Sequence, residues 1–173
     1  MLESLSVWLE GFGFAAFFNA NDWAWPLFEI FHFIGMSILI GTIGLIDLRI
    51  LGFAKGLPIA KLERLVPLGI AAFVVNAATG TMFIIGNPDG APIFYLDNLA
   101  MQIKLVLILL AGINVVIFYA AGIARATDQV GPSGNAPAAA KVIAGVSLFF
   151  WINVIFFGRL IMYNDTLLWA LGI

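Results

Sequence analysis

The sequence predicts an all-α integral membrane protein: a four-helix bundle with an N-terminal amphipathic helix lying at the interface. Three observations predict it. The composition is 62% hydrophobic and only 10% charged, against about 25% charged in a typical soluble domain, and the mean hydropathy is +1.06. Four apolar stretches each reach or exceed the roughly 20 residues that an α-helix needs to cross a bilayer. Between them fall short segments rich in Gly, Pro, Asn and Asp, which end helices and turn the chain.

Composition also excludes functions. With no cysteine, the chain makes no disulfide, no thiolate metal site and no iron–sulfur cluster of its own. A net charge of −2 offers no basic footprint for nucleic acid. The opening MLESLSVWLE carries acids where a secretory signal carries cations. No hydrolase, kinase, P-loop or HExxH pattern occurs, so catalysis by the chain itself is not expected.

In order, residues 1–24 read as an interfacial segment. Glu3, Ser6, Glu10 and Gly13 share a narrow polar stripe, Leu2, Leu5, Leu9 and Phe12 lie beside it, and the apolar run is too short to span. Asn19, Asn21 and Asp22 punctuate, and Trp23 and Trp25 suit an aromatic belt. The bundle, 25–163, follows with spans at about 25–50, 65–85, 99–123 and 141–163. Gly69, Ala72, Asn76 and Gly80 give the second span a small-residue face for close packing. The turn Gly86-Asn87-Pro88-Asp89-Gly90 separates spans two and three, and a Gly/Pro/Ala-rich loop from Asp128 to Ala138 separates three and four. Residues 164–173 read as a short interfacial tail.

Lys55, Lys61 and Arg64 lie in the first loop with Arg49 at its edge, and Arg125 and Lys141 flank the third. The positive-inside rule then places these loops in the cytoplasm and both termini outside. In a bacterium that means the inner membrane with periplasmic termini. The lipid bilayer is one partner, with other membrane or periplasmic subunits, or a second copy, as candidates.

The first span is apolar yet carries Glu29, His32, Asp47 and Arg49, and ionisable groups at a span centre cost about 2.5–3.5 kcal/mol each on insertion scales. Glu29, His32, Met36, Ile40, Ile43 and Asp47 fall on one helical stripe. Counting depth from the helix ends puts Glu29, His32, Lys104 and Arg159 at one level near the outer face, with Met82, Met101 and Met162. Asn76, Asn114 and Asn153 fall near the midplane, where interhelical hydrogen bonds are expected. Asp47 and Arg49 fall at the cytoplasmic rim and point apart, and Gly52 ends their helix.

The outer cluster supports three readings. Glu29 pairs with Lys104 or Arg159 as a structural ion pair while His32, the only histidine, bonds locally. Alternatively His32 is an axial ligand of haem b, with Lys or Arg on the propionates and Met82 or Met101 as a second ligand; a quinone head group would use the same place. Third, His32 with Met36, Met82, Met101 and Met162 offers soft ligands for copper, as in a permease.

Four stretches taken together carry a family resemblance: HFIGMSILIGTIGLIDLRILG, PLGIAAFVVNAATGTMFI, IKLVLILLAGINVVIFY and SLFFWINVIFFGRLIMY. Over about 25–163 the chain resembles a domain-of-unknown-function family of bacterial four-helix inner-membrane proteins. It is more distantly similar to the membrane domain of copper-resistance D proteins and to cytochrome-b-like bundles. The resemblance implies a His at His32, the DLR of Asp47–Arg49, a Lys at Lys104 and the Gly158–Arg159 pair as typical residues of the family, with no settled activity attached to them. It also implies a second His near the end of the third span, where this chain has Tyr119. That departure speaks against two haems and electron transfer across the membrane. The function expected is a small redox-associated subunit that binds haem b or quinone near the periplasmic face or anchors a periplasmic partner. The alternatives are a copper or small-solute permease and a purely structural accessory subunit.

Overall fold

In the computed structural model, residues 1–53, 55–87, 91–131 and 133–172 are described, and the described residues contain helices and no strand. The helices are α1 (Leu2–Glu10), α2 (Phe14–Ala20), α3 (Ala24–Leu51), α4 (Ile59–Leu62), α5 (Val66–Ile85), α6 (Ile93–Leu96), α7 (Leu99–Ala120), α8 (Ile123–Asp128), α9 (Ala138–Leu160) and α10 (Asn164–Leu171). Four segments are long and apolar enough to cross a membrane, built on α3, α5, α7 and α9. The protein is a multi-pass membrane helical bundle.

The tight interfaces are α3 on α5, α7 on α9, and α3 on α9, so two hairpins are joined through α3 and α9. Leu39, Ala72, Ala111, Trp151 and Val154, drawn from all four spans, make the central core. Most of each span faces outward. Leu105, Val106, Leu109, Ile113 and Val116 along α7 are all exposed, as apolar side chains are where lipid is the solvent.

Without a hydrophobic drive between helices in lipid, close packing of small residues holds the bundle. A Cβ on Gly35 would stand 2.8 Å from Asn76 Nδ2 and 3.2 Å from the Ala72 carbonyl oxygen, and one on Gly69 would stand 3.2 Å from Thr42 Oγ1. Those glycines set the approach of α3 to α5.

Both termini and the α5–α7 connection share one face, here the termini face. On it, Ser6 is 3% exposed; its hydroxyl accepts from the Ile93 N–H at 3.1 Å and donates to Glu10 at 3.1 Å, docking α1 on the turn of α6. The expected single interfacial helix is thus two, broken where Gly13 takes φ +71°. Trp8 and Phe12 stay exposed in edge contact, 4.9 Å between centroids. Phe18 seals the end of α5: a Cβ on Gly86 would sit 2.3 Å from its ring. Asn98 caps α7 through Met101 N–H at 3.1 Å and donates to the Ile161 carbonyl at 2.9 Å, while Asn164 accepts from Leu99 N–H. The tail helix α10 is thereby tied to the start of α7, with Trp169 exposed.

On the opposite loop face, Gly52 ends α3 at φ +103° with its N–H on the Leu48 and Arg49 carbonyls, the glycine stop expected there. Two boundaries move. The third span ends at Ala120 rather than 123, because Gly122 turns at φ +73° into α8. The fourth begins at Ala138, three residues early, behind Pro137; Ala140 in this added turn is fully buried. Of the turn after Gly86, residues 88–90 lie outside the described residues.

Candidate functional site

His32 sits on α3 about two turns in from the termini face. Its Nδ1 lies 2.7 Å from the Thr79 Oγ1 of α5. The Thr79 hydroxyl has one proton, and the Val75 carbonyl 2.8 Å away, one turn back on the same helix, takes it. With the proton so placed, Thr79 accepts from His32 and the imidazole carries the Nδ1–H tautomer, an assignment made from the hydrogen-bond network. That leaves Nε2 as a lone pair, the form in which imidazole binds a metal or accepts a proton. Phe83 packs edge-on against the imidazole at 5.3 Å, and Trp25 lies against Phe83 at 4.9 Å, so aromatic rings cover the approach from the rim. A Cβ on Gly80 would meet His32 Cε1 at 3.6 Å.

Lys104 on α7 reaches the same region from the other hairpin, near enough for its charge to act on the His32 ring. It is half-buried, and among the described residues no carboxylate acts on it. Gly158 on α9 makes the space: a Cβ there would be 3.5 Å from Lys104 Nζ. All four spans thus contribute, His32 from α3, Thr79 with Phe83 from α5, Lys104 from α7 and Gly158 from α9.

Of the four residues expected in the outer cluster, the structure brings together His32 and Lys104 and separates the other two. Glu29 is exposed and accepts from Trp25 Nε1 at 3.2 Å. Arg159 turns outward to the Tyr163 hydroxyl at 3.5 Å, with its guanidinium 5.5 Å from that ring's centroid. The expected ion pair of Glu29 with Lys104 or Arg159 is therefore replaced by two local i, i+4 contacts at the rim. Depth counting put these residues at one level but says nothing of direction. Thr79, Phe83 and Gly158 were not singled out as site residues. Their signal was present in the small-residue face around Asn76 and Gly80, and in the glycine, rather than the arginine, of Gly158–Arg159.

The methionines do not form one set. Met101 is buried in an apolar cluster with Ala100 and Ile161, Met162 is 66% exposed, and Met36 and Met82 are half-buried. Among the described residues no three His, Cys, Asp or Glu side chains converge on a metal-sized site. The Asn residues also divide. Asn114 makes the expected interhelical bond, to the Ile143 carbonyl of α9 at 3.1 Å. Asn76 and Asn153 instead donate to carbonyls of their own helices, Ala72 at 3.1 Å and Phe149 at 2.8 Å.

At the loop face, Asp47 and Arg49 do diverge as their spacing requires. Arg49 is fully buried. Its Nε donates to the Leu57 carbonyl at 2.7 Å, and Nη2 donates to the Gly131 carbonyl at 3.1 Å and the Gly134 carbonyl at 3.4 Å. One guanidinium thus holds both loops of this face. Tyr119 is exposed near the same face, in edge contact with Phe118 at 5.3 Å.

The fold and these positions define a class, a multi-pass membrane helical bundle with a histidine–lysine site inside one half. Compared with protein-family models, curated proteins and solved structures, the chain matches none.

Proposed function

We propose that the protein is a small redox-associated subunit of a bacterial inner membrane that holds haem b or a quinone head group at His32 and Lys104. The observation that supports it most is the pairing of an open imidazole Nε2 with an unneutralised ammonium in one partly buried place. A histidine that ligates haem must present a nitrogen lone pair, and a propionate suits a lysine. The same pair suits a quinone: Lys104 would donate to a carbonyl oxygen, and His32 Nε2 would accept from a quinol hydroxyl. Either group would supply the electron chemistry that the chain's own residues lack. The glycines at 80 and 158 leave the flanks of the site free of side chains, which fits a flat ligand.

The cations in the first and third loops support a cytoplasmic loop face, which puts the site and both termini on the periplasmic side. The exposed aromatic helices α1 and α10 on that side suit an anchored periplasmic partner as well as lipid. A purely structural accessory subunit is the second reading. It is favoured by Glu29 and Arg159, which satisfy each of their charges locally.

The test is the dithionite-reduced minus oxidised spectrum of the purified protein, with pyridine hemochrome and solvent extraction of quinones. The expected result is haem or quinone bound in the wild type, lost in His32→Ala and depleted in Lys104→Met. Protein purified from native membranes with neither group overturns the redox reading and leaves the structural one.

A further inference from the structure

A second polar site lies in the other half of the bundle and owes nothing to the outer pocket. Asp47 on α3 is 7% exposed, yet its Oδ2 has no hydrogen-bond partner. Ser147 on α9 offers its hydroxyl to the carboxyl, and is itself 5% exposed. Buried polar atoms are nearly always satisfied, so an orphan carboxyl oxygen enclosed between α3 and α9 calls for an explanation.

Charge decides what the carboxyl is. The cations and acids at this end of the bundle are Arg49 on α3, Lys55 in the first loop, Lys61, Glu63 and Arg64 around α4, Arg125 and Asp128 on α8 and Lys141 on α9; α5 has none, and Glu29 and His32 of α3 and Arg159 of α9 lie at the termini end. Arg49 spends its guanidinium on the loop carbonyls. Among the described residues, no ionisable group acts on the Asp47 carboxyl. An ionised carboxylate inside a bilayer without a counter-charge is strongly disfavoured, and such groups take up a proton instead.

We infer that Asp47 and Ser147 form an intramembrane proton-binding site in which Asp47 is a neutral carboxylic acid. Uptake of a proton leaves no charge at the buried carboxyl, which the Ser147 hydroxyl faces from α9, so no counter-ion has to enter the bundle.

Infrared spectroscopy of the full-length protein in lipid nanodiscs, with carboxyl-labelled aspartate, tests it. At neutral pH an isotope-shifted carbonyl stretch of a protonated acid is expected, moving in deuterium oxide. It is expected to vanish in Asp47→Asn, to persist in Asp128→Asn, and to move in frequency in Ser147→Ala. Labelled wild type with no protonated-acid band at neutral pH overturns the proposal, whether or not Asp47→Asn folds. So does a band that survives Asp47→Asn, or one that Asp128→Asn removes.

Discussion

Arg49 and Lys104 are both cations held within one bundle, at opposite faces of the membrane, and they are treated in opposite ways. Arg49 is wholly enclosed, and its donors end on carbonyls of two loops. Lys104 is only half-buried, beside the glycine of α9, with no carboxylate acting on it among the described residues. A guanidinium is a rigid planar fork with five donors and can reach carbonyls spread over two loops; the three donors of an ammonium radiate from one compact nitrogen. The first cation is therefore architecture, and the second is a charge left beside the histidine. Satisfaction of the donors separates the two roles more sharply than burial does.

Removing each cation should break the comparison in opposite directions. Arg49→Met should destabilise the protein by about 1–3 kcal/mol for each loop carbonyl left buried without a donor. The loss should show as a lower unfolding midpoint in detergent. Hydrogen exchange should rise around Leu57, Gly131 and Gly134, whose carbonyls the guanidinium holds. Arg49→Lys should recover little, because three donors on one compact nitrogen cannot span the two loops that the planar fork reaches. Exchange around His32 should stay unchanged, since that end of α3 is held by α5 rather than by the loops.

At the other cation, the space matters as much as the charge. Gly158→Val places methyl groups where Lys104 Nζ and its stem now pass, and overpacking of this kind costs about 1–3 kcal/mol. The same substitution in a Lys104→Ala background should be nearly neutral. A loss that persists in that background would mean that Gly158 serves helix packing rather than the lysine. Lys104→Met by itself should leave the ligand-free protein as stable or more stable, by about 1 kcal/mol, because an unneutralised charge leaves the interior. Haem or quinone binding should fall at the same time. Stability gained with function lost is the mark of a site.

The comparison also shows what the sequence could reveal. The four spans, the glycine stop at Gly52 and the separate directions of Asp47 and Arg49 follow from hydropathy and helical period, and these are local properties. Depth follows as well, which is why His32 and Lys104 could be paired across seventy-two residues. Direction does not follow, because rotation of a span about its own axis is set by its neighbours. In a helix apolar all round, no moment marks the inner face. Glu29 and Arg159 were placed at the right level and the wrong azimuth for this reason. Gly158 and Thr79 face inward but carry no hydropathic signal to say so. The short helices α2 and α8 were lost to the same local reading, since each is defined by a left-handed glycine, Gly13 or Gly122, that fixes where a turn ends.

The smallest expected effect tests azimuth directly. If Glu29 and Lys104 formed an ion pair, then Glu29→Gln and Lys104→Met would each destabilise, and the double substitution would recover stability. In the structure the Glu29 carboxylate faces Trp25 at the rim, and Lys104 faces Gly158 inside. The two changes should therefore add, with a coupling energy within about 0.5 kcal/mol. The double-mutant cycle needs only unfolding midpoints in detergent and their m-values. A coupling several times larger would rotate α3 to bring Glu29 inward. His32, three residues further along the same helix, would turn with it away from Thr79, so the site itself depends on the cycle closing near zero.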